Sequence, residues 1–191
     1  MIFNAPNLVT LSRIVLIPLI IGIFYLPDAW LSFSGKNAVA TAIFIFAAVT
    51  DWLDGYLART LNQMSAFGAF LDPVADKLIV VGALLVLLKE GRVDTIVSLV
   101  IIGREIAISA LREWMAKVGQ AKSVAVAFIG KLKTVSQMVA IPLLLLYDDD
   151  LLGFLNCIVL GEVLISIAAV LTVISMLYYM RKALPHASLG G

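Results

Sequence analysis

Apolar runs about the length of a membrane crossing alternate with short polar breaks along the whole chain. A helix that spans a bilayer needs about 20 largely apolar residues. That length predicts six spans, at 8–27, 37–60, 69–88, 94–115, 123–147 and 151–180. The breaks PDAWLSFSGKN, RTLNQMS, KEGRVD, KVGQAK and YDDD carry the turn formers and charges of loops. Polar residues inside the spans are not scattered. They gather at the start of the first (NLVTLSR), the end of the second, the start of the third, the end of the fourth (GREIAISALREWMAK) and the start of the fifth (SVAVAFIGKLKTVSQM). Alternating the spans through the bilayer places all five segments on one face of a bundle. The opposite halves, such as IVVGALLVLL and IPLLLL, are hydrocarbon anchors.

Composition agrees with this pattern. A chain of 191 residues that is 62% hydrophobic, with a mean hydropathy of +1.05, has more apolar surface than a soluble domain can bury. The expected class is an all-α polytopic membrane protein, a six-transmembrane-helix bundle forming a single domain over 1–191, with a polar site facing the cytoplasm. A net charge of +1 gives no footprint for nucleic acid. The single cysteine, Cys157, excludes an internal disulfide and a multi-cysteine metal site, and the single histidine, His186, lies in a polar tail. MIFNAPNLVTLSR has no cationic region ahead of its apolar run, so the first stretch reads as a retained span. Arg59, Lys117, Lys122, Arg181 and Lys182 fall on the polar-face side, against Lys36, Lys89 and Arg92 opposite. By the positive-inside rule the polar face and both termini are cytoplasmic.

The chemistry concentrates in DWLDGYLARTLNQMSAFGAFLDPVAD, residues 51–76. On a helix Asp51 and Asp54 share a face with Gly55 and Ala58, with Arg59 beside them. Asp72 and Asp76 are one turn apart on the next helix, with Gly68 a turn earlier. Ionised groups inside a membrane segment cost ~2.5–3.5 kcal/mol each at mid-bilayer. Clustered carboxylates also repel one another. An oxygen-ligated divalent cation, Mg²⁺ or Mn²⁺, removes both problems. Gly55, Ala58 and Gly68 are small where a bulky ligand would approach the backbone.

These spacings, Asp51-x-x-Asp54-Gly55-x-x-Ala58-Arg59, eight residues, then Gly68-x-x-x-Asp72-x-x-x-Asp76, resemble the signature of the CDP-alcohol phosphatidyltransferase family at each of its eight defined positions. NLVTLSRIVLIP, FGAFLDPVADKL, REIAISALREWMA and IGKLKTVSQMVA resemble its bacterial phosphatidylglycerophosphate synthase branch. The resemblance implies a six-helix, usually homodimeric enzyme of the bacterial cytoplasmic membrane. Such an enzyme displaces CMP from CDP-diacylglycerol with sn-glycerol 3-phosphate. It further implies that Asp51, Asp54, Asp72 and Asp76 hold two divalent cations, and that Asp76 is also the catalytic general base. Gly55, Ala58 and Gly68 would leave room for the cytidine, and Arg59 would contact the nucleotide phosphates.

Asn7, Thr10 and Arg13 lie near the start of the first span, on the CDP-lipid side. Asn7 after Pro6 also suits a helix cap, and Arg13 a snorkelling side chain. Arg104, Ser109 and Arg112 on the fourth span, with Lys131, Lys133 and Thr134 at the start of the fifth, form a cationic set suited to a phosphate monoester. Under the resemblance that ester is the acceptor, glycerol 3-phosphate. Glu105 and Glu113 compete as ion-pair partners for these bases. Glu162, alone in the sixth span, reads as packing glue, a dimer contact or an interface group. Trp30, Trp114, Tyr178 and Tyr179 read as interfacial anchors. Two alternatives remain: another acceptor such as inositol phosphate, and a cation transporter, which would need polar residues continuing across the bundle.

Overall fold

The computed structural model describes residues 5–61, 66–117, 119, 128–151 and 153–185; side chains are described from residue 10 onward, and for 52–61 and 66–70 the helical course alone. Among these residues there are six helices and no strand: α1 (Ala5–Ile23), α2 (Phe33–Leu61), α3 (Ala66–Lys89), α4 (Thr95–Lys117), α5 (Phe128–Leu146) and α6 (Cys157–Ala183). Each falls on one of the six expected segments. Large apolar side chains are exposed on every helix, among them Val15, Phe46, Leu85, Leu99, Val135 and Val170. Water would not tolerate that surface and lipid does. This is a membrane protein. Residues 33–51 of α2, together with α5 and α6, are long and apolar enough to cross a bilayer on composition alone.

The helix ends differ from expectation for local reasons. α1 stops four residues early because the amides of Phe24, Tyr25 and Leu26 turn back onto the carbonyls of Ile21, Gly22 and Ile23 ahead of Pro27. α2 starts early because Ser32 caps it, its Oγ accepting the Gly35 amide at 3.2 Å. α6 starts at Cys157 rather than residue 151. The segment before it is a turn, with Tyr147 at φ 53° and Gly153 at φ 77°, closed by the Cys157 amide on the Asp148 carbonyl at 2.9 Å. Residues 123–127 of the expected fifth span lie outside the described residues.

The chain divides into two compact units. One holds α1–α3 with residues 142–158; the other holds α4, α5 up to Ile141, and α6 from Val159. In the first, α1 and α3 run in the same direction: Thr10 meets Asp72, Ile17 meets Gly82, and the Phe24 carbonyl accepts from Lys89. A Cβ on Gly82 would stand 3.0 Å from Ile17 Cγ2, so the glycine sets how closely the two helices approach. Ala75 and Ala83 are fully buried along the same helix. α2 runs the other way, with Asp51 meeting Arg13 of α1 and Asn37, near its start, meeting Arg92 just past the end of α3.

That second end is held by Arg92. α3 finishes in a Schellman turn, with Gly91 at φ 69° and the Arg92 amide donating to the Leu87 carbonyl at 2.8 Å. The turn sends the Arg92 side chain inward, where it is 4% exposed. Its guanidinium donates to the Leu144 and Leu145 carbonyls at 3.1 and 2.8 Å and to Asn37 Oδ1 at 2.7 Å. Tyr147 packs on it at 4.4 Å, which offsets that residue's positive φ. Burial holds its pKa below the usual arginine value. The sequence counted Arg92 as a loop charge; the structure makes it the clasp of three helix ends. Arg92→Met should therefore lower stability by about 3 kcal/mol, read as an early thermal transition in detergent.

In the second unit Arg104 of α4 meets Ser175 of α6, and Lys133 of α5 meets Glu105 of α4. α6 buries Ile165, Ala168, Thr172, Ser175 and Tyr179, a stripe at intervals of three and four residues. Tyr179 packs with Ile108, Met115 and Ala183, flanked by Leu111, Trp114 and Met176.

Candidate active site

Three carboxylates of the signature meet at one cation inside the first unit. Arg13, on the third turn of α1 and 1% exposed, donates through one nitrogen to Asp51 at 2.5 Å and through the same nitrogen to Asp76. Its other terminal nitrogen stands 3.8 Å from Asp72. Thr10, three residues earlier on the same face, donates its hydroxyl to Asp72 at 2.5 Å. The local reason is helical period. Thr10 and Arg13 are one turn apart, as are Asp72 and Asp76, so parallel α1 and α3 match rung for rung while antiparallel α2 delivers Asp51.

Asp51 is 18 residues into α2, or ~27 Å from its start at 1.5 Å per residue, close to the hydrocarbon thickness. The carboxylates remain 39–48% exposed while Arg13 is sealed beneath them. Among the described residues, three half-exposed acids meet one guanidinium. Among the described residues no trio of acids, histidines or cysteines stands in a metal-ligating arrangement. The cation at their centre is the guanidinium. The donor chemistry nonetheless fits a hard divalent ion: oxygen alone, from two helices, already gathered round positive charge.

Of the residues expected here, Thr10, Arg13, Asp51, Asp72 and Asp76 are brought together. Asn7, Asp54, Gly55, Ala58, Arg59 and Gly68 fall on the described helices, but their side chains lie outside what is described.

The basic set lies in the second unit and divides by face. Lys133 is buried and bonded to Glu105, while Lys131, two residues away, is exposed. Arg104 is buried, donating to Ser175 Oγ at 3.3 Å and standing 3.5 Å from Glu105. Arg112 stacks on Tyr179 at 5.5 Å. Ser109 is half-buried on α4, and Thr134 donates its hydroxyl to the Gly130 carbonyl of its own helix. Glu113 pairs with Lys117 at 2.9 Å on the exposed face rather than with a buried base. Tyr179 corrects the reading as an interfacial anchor. It is fully buried, because its ring fills the space between the arginines, and its signal was the stripe Ala168, Thr172, Ser175, Tyr179 in an otherwise uniform span.

A family model described as CDP-alcohol phosphatidyltransferase matches residues 3–177. The chain belongs to the CDP-alcohol phosphatidyltransferase family. It is 47% identical over 183 residues to the CDP-diacylglycerol–glycerol-3-phosphate 3-phosphatidyltransferase of Salmonella choleraesuis, covering 95% of each protein. It is 48% identical to the protein of the same name from Shigella flexneri serotype 5b over the same share. It is 47% identical to that of Pseudomonas fluorescens, covering 98% of this chain and 94% of the relative. As a CDP-alcohol phosphatidyltransferase the chain is a membrane-bound transferase, and the transporter alternative falls.

Removing the central cation tests the cluster. Arg13→Gln leaves three carboxylates facing one another and should cost about 2 kcal/mol after allowing for their exposure, read as a lower thermal transition in chelator. Adding Asp51→Asn and Asp76→Asn to that variant should restore most of the loss. Equal stability of the single and triple variants would remove Arg13 from this role.

Proposed function

We propose that this chain transfers the phosphatidyl group of CDP-diacylglycerol to sn-glycerol 3-phosphate, giving phosphatidylglycerophosphate and CMP. The observation that carries the reading is near-full-length likeness, at 47–48% identity, to enzymes named for this reaction. The family match runs through both compact units, which supports a single functional domain. It also supports six crossings, as does the direction of α1–α3 within their unit.

Each group then has a physical task. A primary hydroxyl of glycerol 3-phosphate attacks the phosphorus next to diacylglycerol, the new P–O bond forms, the bond to CMP breaks, and the hydroxyl proton passes to the Asp76 carboxylate. Asp51, Asp54, Asp72 and Asp76 would hold two divalent cations, Mg²⁺ or Mn²⁺, whose charge when bound stabilises the pyrophosphate and the developing oxyanion. Arg13 and Thr10 orient three of those carboxylates from below. Arg59 would meet the nucleotide phosphates with its planar donor fork, and Gly55, Ala58 and Gly68 would admit the cytidine; Asn7 lies on that side of the chain. Arg104, Arg112 and Lys133 receive the dianionic phosphate of the acceptor, with Ser109, Lys131 and Thr134 in the same stretch of sequence.

Both the acceptor and CMP are water-soluble, so the site opens to the cytoplasm of a bacterial inner membrane. The basic residues support this orientation. Of the three counted on the opposite side, Arg92 is buried on carbonyls and Lys36 is tied to Asp28 at 2.6 Å. A homodimer belongs to the same reading and rests on the family likeness.

The test is CMP release by purified protein with CDP-diacylglycerol and Mg²⁺, offering glycerol 3-phosphate, inositol phosphate, serine and phosphatidylglycerol separately. Release should require glycerol 3-phosphate, stop in chelator and fall at least 10³-fold in Asp76→Asn. Release with another acceptor alone would keep the family and overturn the substrate.

A further inference from the structure

The acceptor-side charges pose a packing problem that the reaction alone does not explain. Arg104 and Arg112 are two turns apart on α4, ~12 Å along its axis. Yet both guanidinium carbons stand within 6 Å of the centre of one ring, Tyr179, at 5.9 and 5.5 Å. The side chains have been drawn along the helix toward each other, against the repulsion of like charges. Lys133 adds a third positive charge, and Glu105, bonded to Lys133 and 3.5 Å from Arg104, supplies one negative. Among the described residues, two positive charges remain uncompensated by ion pairs in a largely buried place.

The negative face of an aromatic ring is what the geometry offers in their place. Tyr179 is fully buried and braced by Ile108, Met115 and Ala183, so its ring cannot swing away. Tyr178 meets its edge, with centroids 5.7 Å apart and planes at 73°. The arginines still hold unused donors: Arg104 Nε and Arg112 Nε are buried with no hydrogen-bond acceptor among the described residues. Two buried, unsatisfied N–H groups on converging guanidiniums call for an anion. The uncompensated double charge matches a phosphate monoester.

We propose that Tyr179 is the positioning residue of the acceptor-phosphate site, an aromatic post that gathers Arg104 and Arg112 for one phosphate group through its π face. This rests on the reading of Arg104, Arg112 and Lys133 as the acceptor site. The tyrosine acts through the two guanidiniums it packs against, so its loss weakens acceptor capture and leaves the chemical step intact.

The experiment measures KM for glycerol 3-phosphate, KM for CDP-diacylglycerol and kcat in Tyr179→Phe, Tyr179→Leu and Arg104→Gln. Tyr179→Phe keeps the ring face and should stay within about twofold of the parent. Tyr179→Leu should raise KM for glycerol 3-phosphate about tenfold, with kcat and the other KM near their parent values. Phenylalanines carrying one, two and three fluorines at position 179 keep the shape while draining the π face, so they test the post even if Tyr179→Leu does not fold. KM should climb with each fluorine. A flat fluorine series, with Arg104→Gln still raising KM for glycerol 3-phosphate, overturns the role of Tyr179. If Arg104→Gln leaves that KM unchanged, the acceptor reading itself is overturned, and this inference with it.

Discussion

An apolar bundle can carry ionised groups only where another charge or a polar lattice meets them, and the Arg13 guanidinium is where this chain meets that constraint most severely. Three acids from two helices converge on it, and a threonine one turn away takes up part of the third acid. The contacts decide more than local stability. They fix α1 and α3 in parallel register and bring Asp51 of α2 to the same point. Close approach through Gly82 follows from that register, because the glycine lies opposite Ile17 only when Thr10 lies opposite Asp72. The far end of the unit is governed by the same rule. There Arg92 is met by carbonyls, an amide and aromatic faces instead of acids.

The two compact units handle charge with opposite signs. Among the described residues, the first gathers acids around Arg13; the second gathers bases around Glu105 and Tyr179. Neither imbalance favours the fold, since uncompensated charge in a low dielectric is destabilising. Each is the complement of something the proposed reaction supplies, metal cations for the acids and a phosphate dianion for the bases. Structural economy would have removed both excesses by exchanging a residue or two. In the proposed reaction both would be the complement of a bound ligand.

Much of this was legible in the sequence because membrane helices announce themselves by length, and four acids cannot hide in such helices. All six segments are helical, and Asp51, Asp72 and Asp76 meet as the helical period requires. What sequence could not supply was the partner of each charge. Arg92 looked like a loop residue because nothing in KEGRVD reveals that a left-handed Gly91 turns the next side chain inward. Lys133 and Lys131 looked alike because only helical phase separates a buried base from an exposed one. Tyr179 looked like an anchor because aromatic residues near span ends usually are; its register with Ser175 and Thr172 carried the contrary signal. The sixth helix began late because Asp148 and Gly153 favoured a closed turn that hydropathy does not see.

The Arg13 cluster also has a place in time. Chains are made from the N-terminus, and the partners of Arg13 lie 38 to 63 residues further along. The arginine therefore precedes in the chain every acid seen to meet it, and Asp51 precedes Asp72 and Asp76. The set of contacts around Arg13 is complete only once α3 has joined α1.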